Sequence, residues 1–308
     1  MYRDHLGLST ERTQKPPVPA TLKRRARSQM QGSVGSIQKK QRAISLLREH
    51  RTILVALSGG VDSATLLAIA CEALGPERVL AVTGRSGSVT HAEIEDAREV
   101  ARALNVRHEV VETFELERRE YRANTGDRCF HCRSELFAVL SRMAVQRGID
   151  AIAYGAIVDD LGDHRPGMEA ARQLGILAPL LDAGIGKDDV RTFANGFNLH
   201  VHEKPSSACL ASRIPMGTEV TLERLGEVGR AEAAVRGLGF RQFRVRHHGE
   251  IARIEFGAGE IERLVDPALR AEVVRSVKHA GFRFVAVDLE AYRETGLYSI
   301  EPSRVSGQ

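Results

Sequence analysis

The feature that most limits what this chain can fold into is a six-residue loop, Ser58-Gly59-Gly60-Val61-Asp62-Ser63. It lies between two apolar segments. Thr52–Leu57 before it is a compact apolar run of the kind buried on both faces in a parallel sheet. Ala64–Leu74 after it reads as a helix, stopped by Gly75-Pro76. A glycine-rich turn from strand to helix gathers backbone N–H groups and the positive end of a helix at one point, which suits an anion. The loop lacks the lysine of the Gly-x-x-x-x-Gly-Lys-Ser/Thr form, so it is not the usual kinase or GTPase loop. A carboxylate beside a phosphate is repelled unless a cation stands between them. Asp62 therefore reads as a Mg²⁺ holder.

Further along, the pattern repeats. Helical spacing over Gln38–His50 precedes the first strand. Arg78–Thr83, Arg107–Val111 and Ala151–Ala156 read as strands, and His91–Leu104 and Ser134–Arg147 as helices. Strands alternating with helices predict a parallel sheet covered on both faces. After about residue 205 the order becomes α-β-β-α-β: helix Val220–Leu238, a hairpin of Phe243–His247 and Ile251–Phe256, helix Ile261–Ala280 and strand Phe282–Leu289. The expected organisation is a tail over 1–36, a nucleotide domain over 37–204 and a smaller α+β domain over 205–308.

Composition supports a packed body and excludes several classes. The 308 residues are 43% hydrophobic and 27% charged, which is enough apolar material for a real core. No apolar run approaches the ~18–20 residues of a membrane helix, and Met1–Lys40 has no apolar signal-peptide core. Residues 1–40 hold nine Lys/Arg against two Asp/Glu. The other 268 residues then carry 35 basic and 38 acidic groups, so the body is slightly acidic. The segment rich in prolines (Pro16, Pro17, Pro19) and the Lys23–Arg27 cluster read as a solvated leader, with Met30 as an alternative start.

Four cysteines, Cys71, Cys129, Cys132 and Cys209, are too few for a disulfide framework and favour a cytoplasmic protein with working thiols. Cys71 falls in an Ala/Leu-rich helix and reads as a small buried residue. Cys129 and Cys132 stand three apart just before a helix, a spacing that serves one metal, a cluster or a redox dithiol. Cys209 lies in Lys204-Pro205-Ser206-Ser207-Ala208-Cys209-Leu210-Ala211-Ser212-Arg213. Three thiolates suit a [4Fe–4S] cluster with one open iron, whereas structural zinc needs a fourth ligand such as His131.

The loop Ser58–Ser63 resembles the pyrophosphate loop of the PP-loop ATP pyrophosphatases. That resemblance implies ATP–Mg²⁺ as co-substrate and a Rossmann-like adenine nucleotide α-hydrolase fold. It makes Ser58, Gly59, Gly60, Val61, Asp62 and Ser63 phosphate contacts. Ala81 and Val82 at the end of the next strand, with Arg85 and Ser86 after it, become nucleotide contacts. Four further blocks, CFHCRSELF, DDLGDHRPG, KPSSACLASRIPMG and FRVRHHGEIARIE, occur in order and are similar to the LarE family of ATP-dependent sulfur transferases. The resemblance spans about residues 40 to 290. Some members sacrifice the sulfur of one cysteine; others use three that resemble Cys129, Cys132 and Cys209, and this chain matches the second type.

The resemblance implies a definite chemistry. ATP adenylates a carboxylate of pyridinium-3,5-biscarboxylic acid mononucleotide, pyrophosphate leaves, and sulfur displaces AMP from the activated acyl carbon. Two rounds give the bisthiocarboxylic acid, with sulfide carried on a [4Fe–4S] cluster and resupplied by a sulfide donor. Cys209, Asp62, Asp160 and Glu232 match catalytic positions. Arg213, Arg244 and Arg246 match binders of the substrate phosphate; the last two alternate on one strand face and can address one anion. His247 and His248 are adjacent in a strand and point to opposite faces, a poor chelating pair. A homo-oligomer is expected, and no membrane or nucleic-acid partner. The competing readings are a cluster-dependent PP-loop tRNA thiolase, a sacrificial Cys209, and a non-enzymatic cluster carrier. Ammonia-using amidation would leave the cysteines without a role.

Overall fold

The computed structural model describes residues 35–162, 166–205, 208–290 and 292. The chain divides into Met1–Gln38, of which the described residues 35–38 are helical, and Lys39–Gln308. The Lys23–Arg27 cluster and Met30 lie outside the described residues, as do residues 163–165 of the DDLGDHRPG block and Ser206 and Ser207.

Within the second unit, α1 (residues 39–47) leads into β1 (Ile53–Ala56) and α2 (Val61–Leu74). Next come β2 (Val79–Arg85), α3 (His91–Ala103), β3 (Arg107–Glu112), α4 (Arg119–Ala123), α5 (Arg128–Arg147) and β4 (Ala151–Tyr154). The four strands are parallel in the order β3-β2-β1-β4. Alternation along β1 sends Ile53 and Val55 into a core with α2 and Leu54 and Ala56 into a core with α5. The sheet is covered on both faces, as the alternation of strands and helices predicts.

Strand order reverses beside β1, since β2 and β3 lie on one side of it and β4 on the other. In an open α/β sheet, the carboxyl ends of the strands at such a reversal leave a crevice for a ligand. Ser58–Ser63 sits at that point. After β4 come the short helices α6 (Pro166–Gln173) and α7 (Pro179–Asp182), then α8 (Lys187–Gly196), all absent from the sequence reading.

The C-terminal part packs α9 (Leu222–Gly237) and α10 (Pro267–His279) on a sheet of β5 (Phe243–His248), β6 (Ile251–Phe256) and β7 (Phe284–Val287). β5 and β6 form the expected antiparallel hairpin, and β7 runs parallel to β6. Several boundaries differ from expectation, and three of them have a visible cause. The helix read as Ile261–Ala280 breaks at Asp266-Pro267, where Asp266 Oδ1 accepts from Ala268 N–H at 2.8 Å and proline has no N–H to continue an earlier turn. β2 does not end at Thr83 but runs to Arg85, held by pairing with β3 through Arg85–Glu112. α5 starts at Arg128 rather than Ser134, because the Asp127 carbonyl already accepts from Phe130 N–H at 2.8 Å.

Candidate active site

The loop after β1 is tied by its serines. Ser58 N–H donates to Ser63 Oγ at 3.1 Å, and Ser63 Oγ–H donates to the Gly60 carbonyl at 3.1 Å. Gly59 has φ +73°, and a Cβ there would lie 2.3 Å from the Glu93 carbonyl. Only glycine meets both demands. Gly155, just after β4, also makes a close approach, since a Cβ there would stand 2.7 Å from Ser63 N. Asp62, the second residue of α2, meets a cation that sequence reasoning missed. Lys187, the first residue of α8, donates from Nζ to both Asp62 carboxylate oxygens at 2.9 Å. The lysine absent from the loop itself thus arrives from 125 residues downstream. The donor set fits Mg²⁺ as well: the two oxygens that hold an ammonium are the kind that hold a divalent ion beside phosphate.

The residues expected to contact nucleotide along β2 and after it differ in exposure. Ala81 and Val82 are buried inside the sheet, and the Val82 carbonyl accepts from Leu57 N–H at 2.8 Å. Pairing with β1 ends at Val82, while pairing with β3 continues to Arg85. Arg85 is exposed and paired with Glu112, its Nε donating to Oε1 at 2.6 Å.

Cys129 and Cys132 occupy the first turn of α5 instead of preceding it. Cys129 is exposed, and Cys132 and Cys209 are half-buried. Burial, then the Glu115 carboxylate and Cys209, push the Cys132 thiol far above its usual range. Cys132 and Cys209 together raise the buried Tyr121 hydroxyl after the larger effect of its burial. Cys132 and Cys209 also pack against one apolar cluster, so segments 77 residues apart meet there. Among the described residues, the one set of three ligand atoms mutually within 4.8 Å is Asp96, Glu99 and His200. Zinc–thiolate bonds of about 2.3 Å would draw three sulfurs to within about 4 Å of one another. Three thiols are a donor set that would suit a [4Fe–4S] cluster with one open iron. Cys71, by contrast, is a free thiol pushed up to about 12 by burial, as a packing residue should be.

Asn124 staples these segments. It adopts the left-handed conformation, with φ +55°, at the end of α4. Its Nδ2 donates to the carbonyls of Pro215 and Thr218 at 2.7 and 3.0 Å. Its Oδ1 accepts from Arg128 Nη1 at 2.5 Å, at the start of the cysteine-bearing helix. Lys204, before the Cys209 turn, donates from Nζ to the Gly59 carbonyl at 2.9 Å and pairs with Asp96. Leu210 N–H, after Cys209, donates to the Ser88 carbonyl at 3.0 Å. Residues on both sides of Cys209 are thus fastened to the loop after β1 and the turn after β2.

The acidic and basic candidates sort by their partners. Arg213 is buried and turned inward. Its Nε and Nη2 donate to Glu232 Oε1 and Oε2 at 2.8 and 3.2 Å, and its Nη1 donates to the Ala208 and Cys209 carbonyls at 2.6 and 3.1 Å. Glu232 also accepts from Val245 N–H at 3.1 Å. The pair braces the Cys209 turn against α9 and β5. Arg244 and Arg246 share the sheet face opposite Phe243, Val245 and His247. Arg244 is lowered by burial and then by the Arg213 charge, and its guanidinium stacks 4.6 Å from the Tyr292 ring. Arg246 grips Glu255 Oε2 through Nε and Nη2 at 3.0 and 2.8 Å, and its Nη1 donates to the Ser212 carbonyl. Asp160 lies past β4, where its Oδ2 accepts from Ile157 N–H at 3.0 Å. His247 is buried against Glu227 at 2.9 Å and His248 is exposed on the other face, as their adjacency predicts.

Known proteins match this arrangement. A family model described as NAD synthase matches residues 42–151, the stretch from α1 through the start of β4. An uncharacterized protein of Synechocystis is 39% identical over 240 residues, covering 78% of this chain and 89% of that protein. The tRNA-specific 2-thiouridylase of Streptomyces avermitilis is 33% identical over 197 residues, but covers only half of each chain. The pyridinium-3,5-bisthiocarboxylic acid mononucleotide synthase of Lactiplantibacillus plantarum is 32% identical over 255 residues, 83% of this chain and 92% of that synthase. With a phosphate loop at the sheet's reversal point and identity running through both sheets, the chain belongs to the LarE family, on a PP-loop fold of the NAD synthase type.

Proposed function

We propose that this protein is an ATP-dependent sulfur transferase acting on pyridinium-3,5-biscarboxylic acid mononucleotide. One observation carries the reading. The Cys209 turn is tied on one side to Gly59 of the phosphate loop through Lys204, and on the other to Ser88 past β2 through Leu210. A thiol site fastened to both edges of a nucleotide site suits a reaction that activates with ATP and then delivers sulfur.

The residues divide the work. Backbone N–H groups of Ser58–Ser63 and the start of α2 receive the ATP phosphates, with Asp62 and Lys187 placing Mg²⁺ and positive charge there. A substrate carboxylate oxygen attacks the α-phosphorus and the bond to pyrophosphate breaks. Sulfur then forms a bond to the acyl carbon, and the bond to AMP breaks and carries one oxygen away. Arg244 and Arg246 hold the substrate phosphate, while Arg213 and Glu232 hold the Cys209 turn. A [4Fe–4S] cluster on Cys129, Cys132 and Cys209 would supply an iron with an open position for the transferred sulfur. A sulfide donor restores that atom between rounds, in a cytoplasm that keeps thiols reduced. No described helix is long and apolar enough to cross a membrane.

Anaerobic purification followed by iron and acid-labile sulfide analysis tests the cluster. About four irons per site, lost in Cys129→Ala, Cys132→Ala and Cys209→Ala, is the expected result. No iron after reconstitution, with conversion of Cys209 to dehydroalanine on turnover, would replace it with sacrifice of Cys209. Pyrophosphate release that requires the pyridinium mononucleotide tests the reaction; release without it, or with bulk tRNA instead, overturns the substrate.

A further inference from the structure

Segment 114–120 carries three carboxylates and two arginines and reads as a solvated charged stretch. The structure singles out one of them. Glu115 is 1% exposed, at the start of a short 3₁₀ turn over Glu115–Glu117. Its hydrogen-bond donors among the described residues are two hydroxyls. Ser86 Oγ–H and Ser88 Oγ–H both donate to Oε1, at 2.5 and 3.1 Å. Oε2 is buried with no partner. A buried carboxylate without a cation is costly, so its retention calls for a role.

The two serines flank a turn past β2. Gly87 between them is pressed against α9, since a Cβ there would lie 2.6 Å from Leu222 Cδ2. The Ser88 carbonyl is the group that accepts from Leu210 N–H, the residue after Cys209. A continuous chain of contacts therefore runs from Ser86 at the nucleotide edge, through Glu115 and Ser88, to the Cys209 turn. Among the described residues no cation is paired with Glu115, and both hydroxyls share its Oε1, so a ligand that takes the Ser86 hydroxyl alters its hold on Ser88.

We propose that Glu115 is a positioning residue that couples nucleotide occupancy at the end of β2 to the exposure of Cys209. The inference rests on the reading of Ser86 as a nucleotide contact and Cys209 as the sulfur site. It places adenylation and sulfur delivery under one mechanical link.

The test uses the full chain, reduced and free of iron, with a non-hydrolysable ATP analogue and Mg²⁺. The readout is the iodoacetamide alkylation rate of Cys209, followed by peptide mass spectrometry. Half-buried Cys71, its thiol pushed up to about 12 by burial, is the internal reference, because it stays un-ionised and slow to alkylate unless the protein unfolds. The analogue is expected to change the Cys209 rate about fivefold in the wild type. Glu115→Ala should abolish that response with the analogue's affinity within about twofold, and Glu115→Gln, which keeps an acceptor for both hydroxyls, should restore part of it. If Glu115→Ala exposes Cys71, Ser88→Ala carries the test by removing one of the two hydroxyl links, and a weakened response is expected. An undiminished response in the variant that stays folded overturns the proposal. Analogue binding to wild type with no change at Cys209 overturns the coupling and leaves the ATP reading standing; no binding at all overturns both.

Discussion

At the scale of single residues, the site is governed by charges that find partners far away in sequence. Lys187 is the clearest case. Lys187→Met leaves Asp62 without that ammonium and removes one positive charge from the phosphate loop, so ATP should bind about tenfold more weakly, close to 1.4 kcal/mol, by calorimetry. The Arg213–Glu232 pair is buried and bidentate. Arg213→Met strands a buried carboxylate and should cost about 3–5 kcal/mol in urea unfolding, and Glu232→Leu added to it should recover part of that loss. Cys71 gives a pH signature. Its thiol is held up to about 12 by burial against an ordinary value of 9.0. The folded state keeps the proton while the unfolded chain releases it, so this stability is intact below pH 9 and is lost as pH climbs toward 12. Cys71→Ala should flatten that alkaline decline by at most about 1.4 kcal/mol per pH unit, read from melting curves across the range.

At the scale of elements, local pattern located most strands and helices because each carries its own signal. β1 is a short apolar run and α3 opens on a Thr90–Glu93 capping box. Boundaries failed where a neighbour decided them: β2 extends because β3 pairs with it, and α5 begins early because Asp127 starts its hydrogen-bonded turn. The join between α5 and the Cys209 turn depends on Asn124. Asn124→Ala removes donors from Pro215 and Thr218 and places a β-carbon side chain without hydrogen-bonding capacity at φ +55°. A loss of about 2 kcal/mol is expected in denaturant unfolding, together with lower iron retention after anaerobic reconstitution.

At the scale of the whole molecule, charge separates the small-molecule reading from a tRNA enzyme. The basic excess lies in residues 1–40, and the remainder is slightly acidic. A chain lacking residues 1–34 should therefore lose salt-sensitive tRNA retention on filters yet keep pyrophosphate release with the pyridinium mononucleotide. Retention of tRNA by the shortened chain would favour a nucleic-acid substrate. Sequence alone determined the parallel sheet, the anion loop and the thiol residues, because periodicity, glycine spacing and cysteine position are written in neighbouring residues. Tertiary structure alone decided that Lys187 meets Asp62, that Arg213 faces Glu232, and that Glu115 is buried beneath two serines. Those pairings join residues 19 to 125 positions apart, and a charged side chain in a polar stretch looks solvated until folding removes the water around it.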